Sequence, residues 1–437
     1  MSKMYNYRFV AQIVLEAVTP LKTASGKSDF FVDAPVLKDW NGLPMILGTS
    51  IAGVLRHSFD DKDNSIDDIF GKESGSRVLV SNAHLMDKNG EVHQCLGIEN
   101  RSDFLKRYDN LPIREHTAID ERGVAKEHSK FDEEVVFSGS RFKFEMEFLG
   151  DKEEDEKVWQ KLLSLINSPL FRLGSGGTKG FGEMKVISCL ESSYIIGKDY
   201  QNKPSDLNKS VGTDVTSKIA KNQQSYSIYK IDIKPDSFFS FGAGFGDDEV
   251  DDVSVTEEIV KWKDEGEFCE KQLLLPASSL KGALSHRVAY HYNRLEKNFA
   301  DNIPIKEFEN YIGENNLAVA TIFGASKGHT NEQKGMALFS DVFKELQKDE
   351  IKIFDHVKID RFTGGAIDSA LYNEKVNAQK DSWHIEIILS KEIEDNIKEA
   401  FKATLDDLCS GLLPLGGKVN RGHGVFEGKW EVENVKN

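Results

Sequence analysis

The sequence is written twice, and that limits what it can fold into. LGTSIAGVLRH at Leu47–His57 is matched by PASSLKGALSH at Pro276–His286, and Ile69-Phe70-Gly71 by Ile322-Phe323-Gly324. IDERGVAKEHSKFDEEVV at Ile119–Val136 aligns without a gap with IDRFTGGAIDSALYNEKV at Ile359–Val376; Asp120 meets Asp360 and Glu134 meets Glu374, both at an offset of 360 − 120 = 374 − 134 = 240. LGSGGTKGFG at Leu173–Gly182 pairs with LGGKVNRGHG at Leu415–Gly424 at 415 − 173 = 242. Landmarks that recur in one order, at nearly constant late spacing, describe one folding unit used twice.

Periodicity supplies the elements of that unit. Tyr7, Phe9, Ala11, Ile13 and Leu15 alternate with more polar neighbours, as in a half-buried strand, and Tyr229, Ile231 and Ile233 open the second half likewise. Phe142, Phe144, Met146 and Phe148 form a further strand, matched by Trp383, Ile385, Ile387 and Leu389. Each is followed by helical spacing: Val158, Trp159, Leu162, Leu163 and Ile166, then Ile393, Ile397, Phe401, Leu405 and Leu408. Further helices are expected to start at Thr49-Ser50 and Ser278-Ser279, where hydroxyls can cap free N–H groups. The unit reads β, helix, hairpin-like insertion, β, helix, Gly-rich loop, β, an α+β plan of the split βαβ, ferredoxin-like kind. Residues 191–225, rich in Lys, Asn, Ser, Asp and Gln, are expected to be a polar linker between domains at 1–190 and 226–437.

Composition excludes several classes. Hydrophobic residues are 39% and charged residues 29% of the 437, which is globular and neither collagenous nor coiled-coil. The best apolar stretch, Leu43–Leu55, is too short and too interrupted to span a bilayer. Four scattered cysteines offer neither zinc spacing nor a disulfide framework, so a cytoplasmic, reduced protein is expected. A net charge of −16 argues against a generally basic nucleic-acid coat but leaves room for a local basic groove. No Walker, Rossmann or triad motif is present.

PASSLKGALSHR at 276–287 resembles the helix-opening motif of the RAMP superfamily, the RNA-binding subunits of CRISPR effector complexes, and both glycine loops resemble that superfamily's C-terminal loop. The 119–136 and 359–376 segments look like the thumb hairpin of type III backbone subunits, and FVDAPVLKD at 31–39 like the loop carrying their target-cleaving aspartate. The resemblance implies two tandem ferredoxin-like (RRM-like, βαββαβ) RAMP domains, each with a hairpin thumb and a Gly-rich loop, fused as in type III-D antiviral systems. It further implies sequence-independent binding of guide RNA (crRNA) and cleavage of the paired target RNA by metal-dependent transesterification, with Mg²⁺ or another divalent cation at Asp33. The implied partners are guide RNA, target RNA, other RAMP subunits and the polymerase-like large subunit, with no membrane. A non-cleaving structural subunit and a guide-precursor-processing endoribonuclease are the alternatives.

The residues themselves allow this chemistry. Gly176, Gly177 and Gly417 can bring backbone N–H groups close to a phosphate, with Lys179, Lys418 and Arg421 adding charge. Thr49, Ser50, Ser278 and Ser279 sit where helix N-termini favour anions, with Lys281, Arg56 and Arg287 nearby. Lys22 stands where some relatives carry a histidine, which argues against histidine-assisted cleavage. Asp33 is the expected catalytic carboxylate, able to hold a metal or move a proton. In the second half, simple register puts Thr256 at that place, and Asp247, Asp248, Asp251 and Asp252 are alternatives, Asp247 and Asp248 being preferred because they follow the glycine stretch. Phe131, Val135, Leu371 and Tyr372 are expected to form or support the thumb's wedge. His116, His128, His286 and His423 are expected to be structural or phosphate contacts.

Overall fold

The computed structural model describes residues 5–26, 32–59, 66–72, 75–98, 101–120, 123–151, 154–220, 222, 224–378, 381–390 and 392–435. In the first half the principal elements are β1 (Tyr7–Ala17), α1 (Gly48–Ser58), β2 (Val78–Val80), β3 (Ala83–Leu85), β4 (Ile113–His116), β5 (Phe131–Glu134), β6 (Arg141–Gly150), α2 (Glu154–Ile166) and β7 (Met184–Ile195). The sheet runs Met45–Ile46, β3, β6, β1, β7, Thr213–Asp214, with β2 also on β6. β1 is antiparallel to both neighbours, Phe9 facing Phe148 and Ile13 facing Cys189. Because strand side chains alternate, this register sends Phe9, Ala11, Ile13 and Leu15 of β1 and Phe142, Phe144, Met146 and Phe148 of β6 into one core. Helix α2 covers it with Trp159, which stacks on Phe9 at 6.0 Å and on Phe148 at 6.4 Å.

The second half comprises β8 (Tyr226–Pro235), β9 (Val260–Trp262), β10 (Gly266–Phe268), α3 (Ala277–Leu295), α4 (Leu317–Phe323), β11 (Ala337–Phe339), β12 (Ile351–Ile359), β13 (Ala366–Asn377), β14 (Trp383–Leu389), α5 (Asp395–Cys409) and β15 (Phe426–Val435). Its sheet is β11-β14-β8-β15, with β8 antiparallel to β14 and β15 as β1 is to β6 and β7. The hairpins β4–β5 and β12–β13 leave the sheets between corresponding elements.

Two expectations change on contact with the structure. Neither helix that follows the first strand is capped by its own hydroxyls: Leu47 and Pro276 occupy the cap positions without a side-chain cap bond. The first-turn amides are met from elsewhere, Gly48 N–H by Asn82 Oδ1 at 3.0 Å and Ala277 N–H by Asp341 Oδ1 at 2.8 Å. Thr49, Ser50 and Ser279 are exposed instead. Nor does 191–225 hang free. β7 runs on to Ile195, Leu207 packs beside Val14, Met86 and Val92, and the Asn208 side chain bonds both backbone groups of Val92 at 2.9 Å. Its polar residues serve the outer sheet face, where Tyr200 donates to Glu147 at 3.1 Å.

The halves are packed together. Val260 of β9 belongs to the first half's core, with Trp262 and Phe268 against it, and Trp262 Nε1 donates to Gly139 O at 2.8 Å. Arg114 of β4, 7% exposed, donates through Nη2 to Glu257 Oε2 at 2.8 Å and through Nη1 to Asp341 Oδ2 at 2.5 Å. Burial alone would disfavour its charge, but the two carboxylates outweigh that and raise its pKa.

Candidate active site

Asp33 lies exposed on a loop laid along β5. The loop is fastened by reciprocal bonds: Asp33 N–H donates to Asp132 Oδ1 at 2.7 Å, and Asp132 N–H to Asp33 Oδ2 at 3.2 Å. Ala34 forms a parallel bridge to Glu133, and Glu134 accepts Val36 N–H at 2.8 Å while pairing with Lys38 at 3.2 Å. Glu133, itself buried, gathers Lys22 at 2.6 Å and His116 at 3.6 Å. His116 stacks on Phe131 at 5.0 Å, and Lys179 of the glycine loop stands 5.7 Å from the same ring. Burial first, then the charges of Lys179, Arg114 and Lys22, hold the His116 pKa below the usual histidine value despite Glu133.

The second half repeats this arrangement with exchanged residues. Asp251 N–H donates to Asn373 Oδ1 at 2.9 Å, and Asn373 N–H to Asp251 Oδ2 at 2.9 Å. Asp252 forms the parallel bridge to Glu374, and Lys375 N–H donates to Asp252 O at 2.9 Å. Glu374 is fully buried and gathers His356 at 2.8 Å, Arg421 at 3.4 Å and Lys418. Burial would raise its pKa, but Lys418 and His356 reverse that and lower it. His356 stacks on Tyr372 at 4.9 Å, with the Arg421 guanidinium 5.3 Å from that ring. The structural pairs are therefore Asp33 with Asp251, Asp132 with Asn373, Glu133 with Glu374, His116 with His356, Phe131 with Tyr372 and Lys179 with Arg421.

The glycine loops hold their own halves together. Ser175 N–H and Gly417 N–H donate to Lys22 O and Ser240 O, each at 2.9 Å, so Lys22 and Ser240 correspond. The cation that Lys22 brings to Glu133 comes in the second half from Lys418, in left-handed conformation at φ 62°. Glycine is required where backbone meets backbone: a Cβ on Gly182 or Gly424 would lie 1.9 or 2.1 Å from the carbonyl of Leu173 or Leu415. Gly180 is required for contact between the halves, since its Cβ would lie 2.5 Å from that of Ala277.

The profile of the RAMP superfamily matches residues 14–185 and 270–427. The chain belongs to the RAMP superfamily. It is also similar to the CRISPR system Cms endoribonuclease Csm3 of Methanocaldococcus jannaschii, 26% identical over an alignment 242 residues long that covers 46% of this chain and 91% of that protein.

Within this RAMP chain the residues expected from sequence divide into groups. Lys22, Lys179, Lys418 and Arg421 converge on the two carboxylate loops. Arg56 instead pairs with Asp67 at 2.5 Å, and Arg287 pairs with Asp407 of α5 at 2.5 Å, both contacts internal to a half. Lys281 reaches Phe323 O at 2.7 Å and Thr178 of the first glycine loop at 3.4 Å; burial, then Lys179, pushes its pKa down to about 8. Gly176 and Gly177 pack on Phe181 and Arg172, and the Gly417 amide is already bonded. In the thumbs, Leu371 is 72% exposed and Phe131 and Tyr372 are half-buried, but Val135 is fully buried and cannot act as a wedge.

The second-half register also needs correcting. Asp247 is taken up by Lys375 at 2.5 Å, which holds its carboxyl down to about 2, and Asp248 lies beside it on the exposed turn. The place equivalent to Asp33 is held by Asp251, with Thr256 further along, paired to Leu273. A signal was present: VDDVS at 250–254 repeats the Val-Asp of VDAPV at 32–36. The gapless alignment of the hairpins is one residue out on their returning strands, because 131 − 116 = 15 whereas 372 − 356 = 16. Phe31, at the head of the first loop, and Glu121 and Arg122 of the first hairpin lie outside the described residues.

Among the described residues no group of three or more His, Cys, Asp or Glu side chains is placed to hold a metal ion. The neighbouring Asp33 and Asp132 carboxylates match the sparser mode of Mg²⁺, which takes one or two carboxylates and completes its shell with waters and substrate phosphate oxygens. No helix among them is long and apolar enough to cross a membrane.

Proposed function

We propose that this chain is a backbone subunit of a cytoplasmic, type III-D-like RNA-guided effector complex, binding guide RNA and cleaving the paired target RNA at Asp33. It consists of two ferredoxin-like RAMP units, 1–190 and 226–437, each with its hairpin thumb and glycine loop. The observation that carries the reading is the Asp33 loop: an exposed carboxylate fixed by paired hydrogen bonds to a projecting hairpin, with cations gathered alongside. The similarity to an endoribonuclease of a CRISPR system supports it.

Guide contacts fall on phosphate and sugar, so guide sequence is immaterial and recognition of target is left to base pairing. Lys179 and Arg421 stand exposed beside the loops to meet the strand, with the Thr49, Ser50 and Ser279 hydroxyls at two helix starts. At the cut, a target 2′-hydroxyl loses its proton and its oxygen attacks the adjacent phosphorus. The P–O5′ bond breaks, the 5′-oxygen takes up a proton, and a 2′,3′-cyclic phosphate and a 5′-hydroxyl result. Asp33 orients and deprotonates the 2′-hydroxyl, while Lys22 and Lys179 offset the charge that builds on phosphate. A divalent cation, held by Asp33 with Asp132, would supply further charge neutralisation. His116, kept largely neutral, buttresses Phe131 rather than serving as the acid. Other RAMP subunits and the polymerase-like large subunit are the proposed partners.

The test is a complex assembled with guide RNA and a labelled complementary target. Asp33→Asn keeps an oxygen to accept Asp132 N–H, so guide content stays as in wild type while cleavage at one position is lost. Cleavage unchanged in that variant removes Asp33 from the reaction.

A further inference from the structure

A single exposed apolar side chain is ordinary on a protein surface, but Trp40, 83% exposed, stands at a place in the fold whose counterpart is occupied. The backbone bridges Ala24–Val36 and Gly242–Ser254 correspond at an offset of 242 − 24 = 254 − 36 = 218, which carries Lys38 onto Thr256. The helix starts Gly48 and Ala277 correspond at 277 − 48 = 229, which carries Pro44 onto Leu273. The bridge Lys38–Pro44 is accordingly repeated by the pair Thr256–Leu273. Between these ends the first half has 43 − 38 = 5 residues, Trp40 being the second of them. The second half has 272 − 256 = 16, which form the hairpin β9–β10 with Trp262.

In the second half this insertion grips the other unit. Phe268 lies 5.2, 5.7 and 4.9 Å from the rings of Phe104, Tyr108 and Phe137 of the first half, and Trp262 meets Phe104 at 6.3 Å under the Arg141 guanidinium. Glu258, which the 218 offset places opposite Trp40, pairs with Arg107 across the same joint. Ser340 and Asp341 add bonds to Arg172 and Arg114. Asp341 and Asn82 meet the same helix-start amide, so the counterparts of Ser340 and Asp341 are Ser81 and Asn82, and both are exposed. The face by which the second half meets the first is therefore repeated on the first half and, among the described residues, stands open there at Trp40, Ser81 and Asn82. Its turn is tied on both sides of the indole. Asp39 Oδ1 accepts Asn41 N–H at 2.8 Å and Leu43 N–H at 2.9 Å, while the Asn41 side chain donates to Cys95 O and accepts Gly97 N–H, each at 3.0 Å. Such a turn presents its side chain with little ordering left to lose on binding.

We infer that this face of the first half docks a separate RAMP subunit, with Trp40 as the anchor entering an aromatic pocket of the kind that Phe104, Tyr108 and Phe137 form for the β9–β10 hairpin. The inference rests on the proposed membership of a complex with other RAMP subunits. A second copy of this chain does not fit as the partner. Its first-half pocket is filled by its own Trp262 and Phe268. Its second half lacks the pocket-forming segment. Strand register matches His84 with Phe343, and the hairpins match His116 with His356. Between the first pair of positions lie 116 − 84 − 1 = 31 residues, which include Phe104 and Tyr108; between the second lie 356 − 343 − 1 = 12. Ala378 follows Asn377 where Phe137 follows Val136, the two residues bridged to Phe239 and Leu21. The partner is thus a RAMP chain that carries the longer, aromatic segment. Because the first half's turn is short, one indole makes the contact, and an interface centred on a tryptophan is sensitive to its truncation.

The experiment dilutes the guide-loaded complex and follows its dissociation by mass photometry, comparing wild type with Trp40→Phe, Trp40→Ala and Ile305→Ala, the last a control of equal exposure on the second half. Trp40→Ala should raise the concentration at which this chain parts from its neighbour by about 30-fold, the scale of an aromatic anchor. Trp40→Phe should keep most of the affinity, and Ile305→Ala should behave as wild type. Trp40→p-benzoylphenylalanine, irradiated in the same complex, should crosslink to a RAMP subunit of different sequence, identified by peptide mass spectrometry. An unchanged parting concentration in Trp40→Ala, equal weakening in Ile305→Ala, or crosslinks confined to RNA, to the large subunit or to a second copy overturns the inference. Target cleavage that depends on Asp33, together with a Trp40→Ala complex as stable as wild type, sinks this inference and leaves the proposed function standing. A chain recovered without guide RNA and without RAMP neighbours sinks both.

Discussion

Replacing Arg114 by Met should weaken the joint between the halves. The guanidinium is 7% exposed, and its partners Glu257 and Asp341 are 6% and 0% exposed, so solvent screens little of the interaction. Removing one partner of such a buried group typically costs about 3–5 kcal/mol, because the remaining charges stay desolvated. Here two carboxylates would be left facing one another, and burial already raises the Asp341 pKa. For a cooperative unit of one half's size, where about 1 kcal/mol moves a midpoint by roughly 2–4 °C, the shift is on the order of 10 °C. Calorimetry of the free chain should show the joined transition falling by that amount, or parting into two. Arg114→Met with Glu257→Leu should recover most of the loss, since replacing a buried ion pair with packed apolar groups is often close to neutral. Asp341 would still accept Ala277 N–H at the start of α3. An unshifted midpoint in the single variant, or a double variant as unstable as the single, would refute the reasoning.

Other outcomes follow from the same contacts. Gly180→Ala should destabilise the joint by about 1–3 kcal/mol, since its Cβ would lie 2.7 Å from Asp341 Oδ1 at φ 108°, whereas Gly422→Ala, with open space around it, should cost only about 1 kcal/mol; chemical denaturation compares them. Lys281 has its pKa pushed down from 10.5 to about 8 by burial, so the unfolded chain binds the proton more tightly, and stability should rise between those values as pH increases. Melting curves should show wild type gaining on Lys281→Met across that window, and parallel curves would contradict the burial. Val135→Ala, at a fully buried site, should lower stability by about 2 kcal/mol, while Leu371→Ala, 72% exposed, should leave stability within about 0.5 kcal/mol and weaken target cleavage.

The sheets were legible in the sequence because a strand with one covered face must alternate, and β1, β6, β8 and β14 all do. The helices α2 and α5 were legible for the same reason at the helical period. Contacts made by single side chains between distant segments were not. Nothing local to Gly48 or Ala277 announces that Asn82 or Asp341 will meet its amide, so the adjacent hydroxyls looked like the caps. The polar run 191–225 looked like a linker because its anchors are few and isolated, Leu207 and Asn208 chief among them. Val135 was grouped with the residues that form or support the wedge because an apolar residue in a hairpin reads alike whether it projects or returns to the core; at full burial only the supporting part is open to it.

The second acidic loop shows how far a repeated sequence can drift while its geometry holds. Asp251 was obscured because simple register overshoots, 256 − 33 = 223 where 251 − 33 = 240 − 22 = 218, and because the cation that should identify the site had moved. In the first half that cation is Lys22, at the end of the first strand; in the second, Ser240 is there and Lys418 reaches in from the glycine loop. Each half thus keeps a buried glutamate, a stacked imidazole and positive charge beside an exposed aspartate, drawing the charge from different places in the chain. What persists is the local field at the loop. A chain with a net charge of −16 can therefore still meet a polyanion, because the acids nearest these loops are held in clamps such as Glu134 with Lys38 and Asp247 with Lys375, while Lys179 and Arg421 are exposed beside them.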